Sequence, residues 1–299
     1  MVVAPLTLAS FALATLVIAA LPFLIYRQLR RPLALRPRDA IAGVAVFALF
    51  AMVIERALND YLLRGNETTA AFLSQPLAFV VYGALAAGIC EEVGRFVGMR
   101  LLVKRAARRP AVRGKANADS NAGVDASAGT STVASTTANP RTAALRTDDG
   151  AALSYGLGHG GAEAWMVGVL VQLQWLVFAV LENRGRLSDY LANLPPEAVM
   201  RVHLILASLT PQLAGIFALE RIAALVFQIG LSVLMWRGVR AGSRAILPVA
   251  IVAHALIDVP AAMTQAGLLP LAAVDTIYAV AAVFVVGLLI RIYRRPDAA

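Results

Sequence analysis

Apolar residues in this chain do not recur in stripes. They come in runs of about 20, separated by short polar stretches rich in arginine, whereas a soluble amphipathic helix repeats every 3.6 residues and a half-buried strand alternates. Runs of that length predict transmembrane helices. Seven are recognisable: Leu6–Tyr26, Ala40–Leu58, Pro76–Val103, Ala151–Leu181, Pro211–Trp236, Ala245–Met263 and Pro270–Ile290. The expected fold is therefore all-α, a polytopic membrane helix bundle of about seven spans. The pattern argues against a spanning β-barrel, because barrels show alternating segments of about 10 residues. The fourth run is long enough to tilt or to project beyond the bilayer. The first lacks a basic segment before it and a small-residue cleavage site before Tyr26, so it reads as a retained span, not a signal peptide.

The pattern breaks between Ala116 and Ala144, where Ala, Ser, Thr, Gly and Asn replace large apolar residues. Such a composition cannot bury enough surface to offset its ordering entropy. The expected organisation is one membrane domain in two parts: residues 1–103 supply spans one to three and 151–299 supply spans four to seven. Residues 104–150 form a disordered linker between them, basic at first and then Ala/Ser/Thr-rich. A second break, after Pro195-Pro196, leads into an amphipathic stretch, Glu197–Leu209, expected to be a short interfacial helix.

Composition agrees with this reading and charge orients it. Of 299 residues, 59% are hydrophobic, and the net charge is +9. The basic residues cluster after span one (Arg27, Arg30, Arg31, Arg36, Arg38), after span three (Lys104, Arg105, Arg108, Arg109, Arg113, Lys115), after span five (Arg237, Arg240, Arg244) and after span seven (Arg291, Arg294, Arg295). With alternating spans all four clusters fall on one side. Retention of Lys and Arg in cytoplasmic loops makes that side cytoplasmic, with the N-terminus outside and the C-terminus inside. It also accounts for the positive charge without nucleic acid, so the expected surroundings are the lipid bilayer of the plasma (inner) membrane. The single cysteine, Cys90, excludes an intrachain disulfide and a Cys-rich metal site, and burial within a span suggests packing, not thiol catalysis, although Glu91 is next to it.

Candidate chemistry lies where the membrane should exclude charge. An ionisable side chain at the centre of a span costs about 2.5–3.5 kcal/mol on the insertion scale, and those retained are usually paired and functional. Span three reads Glu91-Glu92-Val-Gly-Arg95, in which either carboxylate can reach the guanidinium and one is left over. Span four opens Tyr155-Gly-Leu-Gly-His159-Gly-Gly-Ala-Glu163, with His159 and Glu163 on one face and glycines that admit a neighbouring backbone. Span six carries His254 and Asp258 at the same spacing, with Pro260 expected to loosen the helix just beyond. Counted from the cytoplasmic ends, Glu92, Glu163 and Asp258 lie at about 17–18 Å, and Arg95, His159 and His254 at about 12 Å. Three helices thus place an acid and a basic partner at matching levels, which charges serving only helix pairing would not require. Glu220, Arg221 and Gln228 of span five, with Tyr155, are expected to support this set, and His203 to be surface.

Glu91-Glu92-x-x-Arg95, Tyr155-x-x-x-His159 and His254-x-x-x-Asp258 resemble the three motifs of the glutamic-type intramembrane proteases, the group of the CAAX-processing and bacteriocin-processing endopeptidases and PrsW. The wording Tyr-Gly-Leu-Gly-His-Gly-Gly-x-Glu is similar to the YhfC family of membrane peptidases, and the resemblance covers nearly the whole chain outside the linker. It implies hydrolysis of peptide bonds within the bilayer, in membrane-protein or lipidated-peptide substrates, by a water that a glutamate activates without a cofactor. On that resemblance Glu91 is the base with Glu92 and Arg95 beside it, His159 helps to orient or deprotonate the water, and His254 with Asp258 stabilises the oxyanion. The CAAX branch has three residues between the acid pair and the arginine where this chain has two, which leaves open which glutamate faces the water.

Two other readings follow from the same residues. His159 and His254 with Glu91 or Glu92 have the ligand types of a zinc metalloprotease, although a His-Glu-x-x-His helix is absent. Buried Glu, His and Arg also build proton-coupled transporters, but the polar motifs show no internal repeat.

Overall fold

Prolines open several helices of this chain and left-handed glycines close others. In the computed structural model, which describes residues 2–107 and 140–293, Pro5, Pro37, Pro196 and Pro211 stand in first turns, where a missing N–H leaves no bond unmade. Gly185, Gly242 and Gly267 follow spans four, five and six with φ of 67°, 68° and 72°, a conformation that stops a helix at little cost to glycine alone.

Among the described residues there are helices and no strands. Seven helices are long and apolar enough to cross a membrane: Pro5–Leu29, Pro37–Gly65, Pro76–Arg105, Asp149–Asn183, Pro211–Arg240, Ile246–Gln265 and Leu271–Tyr293, spans one to seven. The chain is a multi-pass membrane protein. Span two runs on past the expected limit at Leu58, and span six passes through Pro260 without interruption. The helix of span three runs on to Ala107 and that of span four begins at Pro140, so both ends of the expected linker, 104–107 and 140–150, are helical; its residues 108–139 lie outside the described residues. The expected interfacial helix forms over Pro196–Ser208, with Leu206 packed in a cluster with Val3, Phe178 and Leu187.

The surface is apolar and the centre polar. Leu16, Val283 and Phe284 are 67%, 73% and 72% exposed, as lipid-facing side chains should be, whereas Glu92, Arg95, His159 and Ser232 are fully buried. Glycines bring the helices close enough to build that centre. A methyl group on Gly43 of span two would press on the carbonyl of Tyr155 and lie 2.8 Å from the amide of His159; one on Gly158 would strike the backbone of Ala40. On Gly88 of span three it would lie 3.1 Å from the carbonyl oxygen of Ile251 on span six, and on Gly160 it would lie 2.8 Å from Cβ of Gln228 on span five. Spans two and four, three and six, and four and five thus meet at close range. The two sequence halves interlock around span five, which touches spans one, three, four, six and seven.

The two ends of the bundle differ. At one end Leu35, Met99, Tyr155, Met235, Trp236 and Ile246 form the largest buried cluster. There Asp149 accepts hydrogen bonds from Arg237 at 2.6 Å and from Tyr293 at 2.8 Å, tying together the start of span four and the ends of spans five and seven. The chain leaves spans one, three, five and seven at this end, so the described basic residues that close them, such as Arg30, Lys104, Arg240 and Arg291, belong to it.

Candidate active site

Adjacent residues on a helix point about 100° apart, and Glu91 and Glu92 use that divergence. Glu92 is fully buried. Both of its oxygens accept from Arg95 Nε at 3.0 Å, and Oε1 also lies 2.8 Å from His254 Nδ1. The rest of the guanidinium turns to span five: Nη1 donates to Ser232 Oγ at 2.6 Å and to the Gln228 carbonyl at 3.3 Å, and Nη2 donates to Gln228 Oε1. Glu92 and Arg95 therefore form a buried ion pair with every strong group engaged.

Glu91 faces elsewhere. Its Oε2 lies 2.9 Å from His159 Nε2 and accepts from Gln228 Nε2 at 2.9 Å, with Arg95 Nη2 at 4.0 Å. Its Oε1 accepts no hydrogen bond among the described residues, and Glu91 lines a cavity of about 630 Å³. Of two adjacent acids, one is enclosed and the other is held by one oxygen at the edge of a cavity.

The histidines take partners across helices. His159 was expected to pair with Glu163 on its own helix, but it binds Glu91 instead, with the ring of Phe47 edge-on at 5.2 Å and that of Tyr155 stacked at 6.1 Å. Its Nδ1 is buried without a partner, so the proton belongs on Nε2, where the carboxylate accepts it. Glu163 accepts from Gln228 Nε2 at 2.9 Å and from Arg221 Nη1 at 3.4 Å. His254 has Glu92 at Nδ1 and Asp258 Oδ2 3.5 Å from Nε2, so both ring nitrogens face carboxylates, as suits the doubly protonated ring.

The structure brings the expected residues to one place. Glu91, Glu163, Glu220, Arg221, Gln228, His254 and Asp258 line the cavity; Glu92, Arg95, His159 and Tyr155 stand behind its wall. Gln228 is more central than expected, since its amide joins Glu91, Glu163 and Arg95. Glu220 reaches the wall but bonds to none of the others. His203 lies outside the cluster, 3.2 Å from Glu182.

Sequence reading missed two features. Ser232, a hydroxyl in span five, receives Arg95. Glu55, an acid inside the second apolar run, lines the cavity with Asn59 and Tyr82, and Asn59 donates to it at 3.4 Å while accepting from the Tyr82 hydroxyl. The signal for Glu55 was the one that singled out Glu91, an ionisable residue within a span. Glu55 ends a π-helical segment, Phe50–Glu55, and another, Ala164–Val169, follows Glu163 directly. Such irregular turns are frequent at functional sites.

The same geometry bears on metal ligation. A metal-bound histidine normally donates its second ring N–H to an acceptor. His159 Nδ1 has no acceptor, and its Nε2 has Arg95 Nη2 at 3.5 Å, a cation beside the position a metal would take. Glu92 is enclosed by Arg95 and His254. Among the described residues no three His, Cys, Asp or Glu side chains gather as a metal-binding group. The set His159, His254 and Glu91 or Glu92 does not fit a zinc ion in this arrangement.

Comparison with known proteins places these motifs in a family. A family model described as YhfC intramembrane metalloprotease matches residues 17–116 and 142–279, which contain every candidate residue above. The uncharacterized membrane protein YhfC of Bacillus subtilis (strain 168) is 32% identical over 247 residues, 80% of this chain and 78% of that protein. No solved structure matches the chain. By the extent of both matches, the chain belongs to the YhfC intramembrane metalloprotease family.

Proposed function

We propose that this chain is an intramembrane endopeptidase in which Glu91 activates the hydrolytic water. The observation that carries the reading is the Glu91 carboxylate, fixed through Oε2 by His159 and Gln228, with Oε1 left to a cavity inside the bundle. A general base needs a fixed position and a free lone pair within reach of a water.

In this scheme Glu91 Oε1 takes a proton from water as its oxygen attacks the scissile carbonyl carbon. The oxyanion that forms is stabilised by N–H donation from His254 Nε2 across the cavity, with Glu92 behind the ring holding its charge. The proton on Glu91 then passes to the amide nitrogen, the C–N bond breaks, and a carboxylic acid and an amine leave. His159 acts on Glu91, not on the water, because its only donor is already directed at Oε2. Arg95 and Glu92 hold spans three, five and six together beneath the reacting groups. Substrates are membrane proteins or lipidated peptides whose bonds reach this depth.

The family description speaks of a metalloprotease, and that reading has its own support in His254, whose Nε2 faces the cavity beside Asp258. The other donors are bound to one another, so no step is assigned to a metal. The two readings part on one experiment: metal content of the purified protein, together with membrane-protein fragments that appear in cells expressing wild type, Glu91→Gln or His254→Ala. Fragments made by metal-free wild type and absent with Glu91→Gln support the glutamate scheme. About one zinc per chain, lost in His254→Ala, would replace it.

A further inference from the structure

From the site residues the cavity extends toward one end of the bundle, and packed side chains close the other. One turn from each site residue toward the basic end stands a fully or almost fully buried side chain: Met99 after Arg95, Tyr155 before His159, Trp236 after Ser232 and Ala250 before His254. These belong to the cluster that closes that end, and the Asp149, Arg237 and Tyr293 bonds lie beyond it. Toward the other end, the cavity continues past Ala224 and Ala87 to Asp60 of span two and Gln265 of span six, both at its rim. Glu55, Asn59 and Arg221 interrupt its largely apolar wall along the way.

From this geometry we propose that water and polypeptide reach the site from the membrane face opposite the basic loops. The substrates are then chains whose scissile bond is presented on that face or in that half of the bilayer. By the retention of basic loops in the cytoplasm, this is the extracytoplasmic side. A segment exposed only among the basic loops meets a packed apolar layer and a buried ion pair before it meets Glu91. The proposal rests on the reading of Glu91 as the reacting group but concerns the route to it.

The single native cysteine makes the route measurable. In a Cys90→Ala background, cysteine replaces Gln265 at the rim, Ala224 and Ala87 within the cavity, or Ser243 in the loop between spans five and six. Right-side-out and inside-out vesicles are treated with a small, charged, membrane-impermeant methanethiosulfonate. The expected result is that the Gln265→Cys, Ala224→Cys and Ala87→Cys variants label from one face and Ser243→Cys from the other. Labelling of the cavity variants from the Ser243 face, or from neither face, overturns the proposal. Labelling does not require turnover and is repeated with Glu91→Gln added. A chain that fails to cleave peptides would still report its route, so the two readings fail separately.

Discussion

Glu91 and Glu92 are chemically identical neighbours with opposite surroundings, and substitution should separate them. Glu91→Gln keeps an oxygen to accept from His159 and Gln228, so the fold should persist while cleavage falls by about 10²–10⁴-fold, the usual worth of a general base. Glu92→Ala leaves Arg95 and His254 buried without their carboxylate. Removal of one partner from a buried pair costs about 3–5 kcal/mol, so this variant should lose thermal stability in detergent as well as activity. A Glu91→Gln protein as unstable as Glu92→Ala would remove the distinction. The contrast was invisible in the sequence, where both acids lie within reach of Arg95. Only the positions of spans four, five and six decide which of the two is enclosed.

At the scale of helices, glycines set the distances. Gly158 has the backbone of Ala40 where a side chain would go, whereas Gly215 of span five has nothing within 4 Å. Gly158→Ala should therefore destabilise the bundle by about 1–3 kcal/mol, the range for overpacking, and Gly215→Ala should be neutral or slightly stabilising. Thermal unfolding of both variants in one detergent checks this. The glycines around His159 were legible in the sequence as contact points, because small residues are what close helix packing in membranes requires. Their partners were not. Matching depths put Arg95, His159 and His254 at one level and Glu92, Glu163 and Asp258 at the next, but the same-helix neighbours His159 and Glu163 gave way to bonds across helices. An i,i+4 spacing permits contact without compelling it, and a carboxylate from a facing helix competed successfully.

At the scale of the molecule, the ends of the bundle carry two expectations. A phosphatase fused after Ala299 should be inactive and a fluorescent protein there should shine if the basic end is cytoplasmic. The reverse pattern would invert the topology. Arg237→Gln should loosen the closed end, because Asp149 would keep Tyr293 but lose its charged partner. Partial proteolysis near the start of span four should then accelerate relative to wild type.

Hydrophobic run length alone determined that this chain crosses the membrane about seven times, because a bilayer tolerates only segments that satisfy their own backbone hydrogen bonds. The same rule marked Glu91, Glu92, Arg95, His159, Glu163, His254 and Asp258, since charge in a span is costly enough to be conspicuous. It marked Glu55 equally, although that residue has no histidine or arginine one turn away to draw attention to it. What only the tertiary structure decided was which partner each group takes, which glutamate meets the cavity, and at which end that cavity opens. Those depend on contacts between residues far apart in sequence, such as Gly43 with Tyr155 and Gly88 with Ile251. Local spacing carries no information about them.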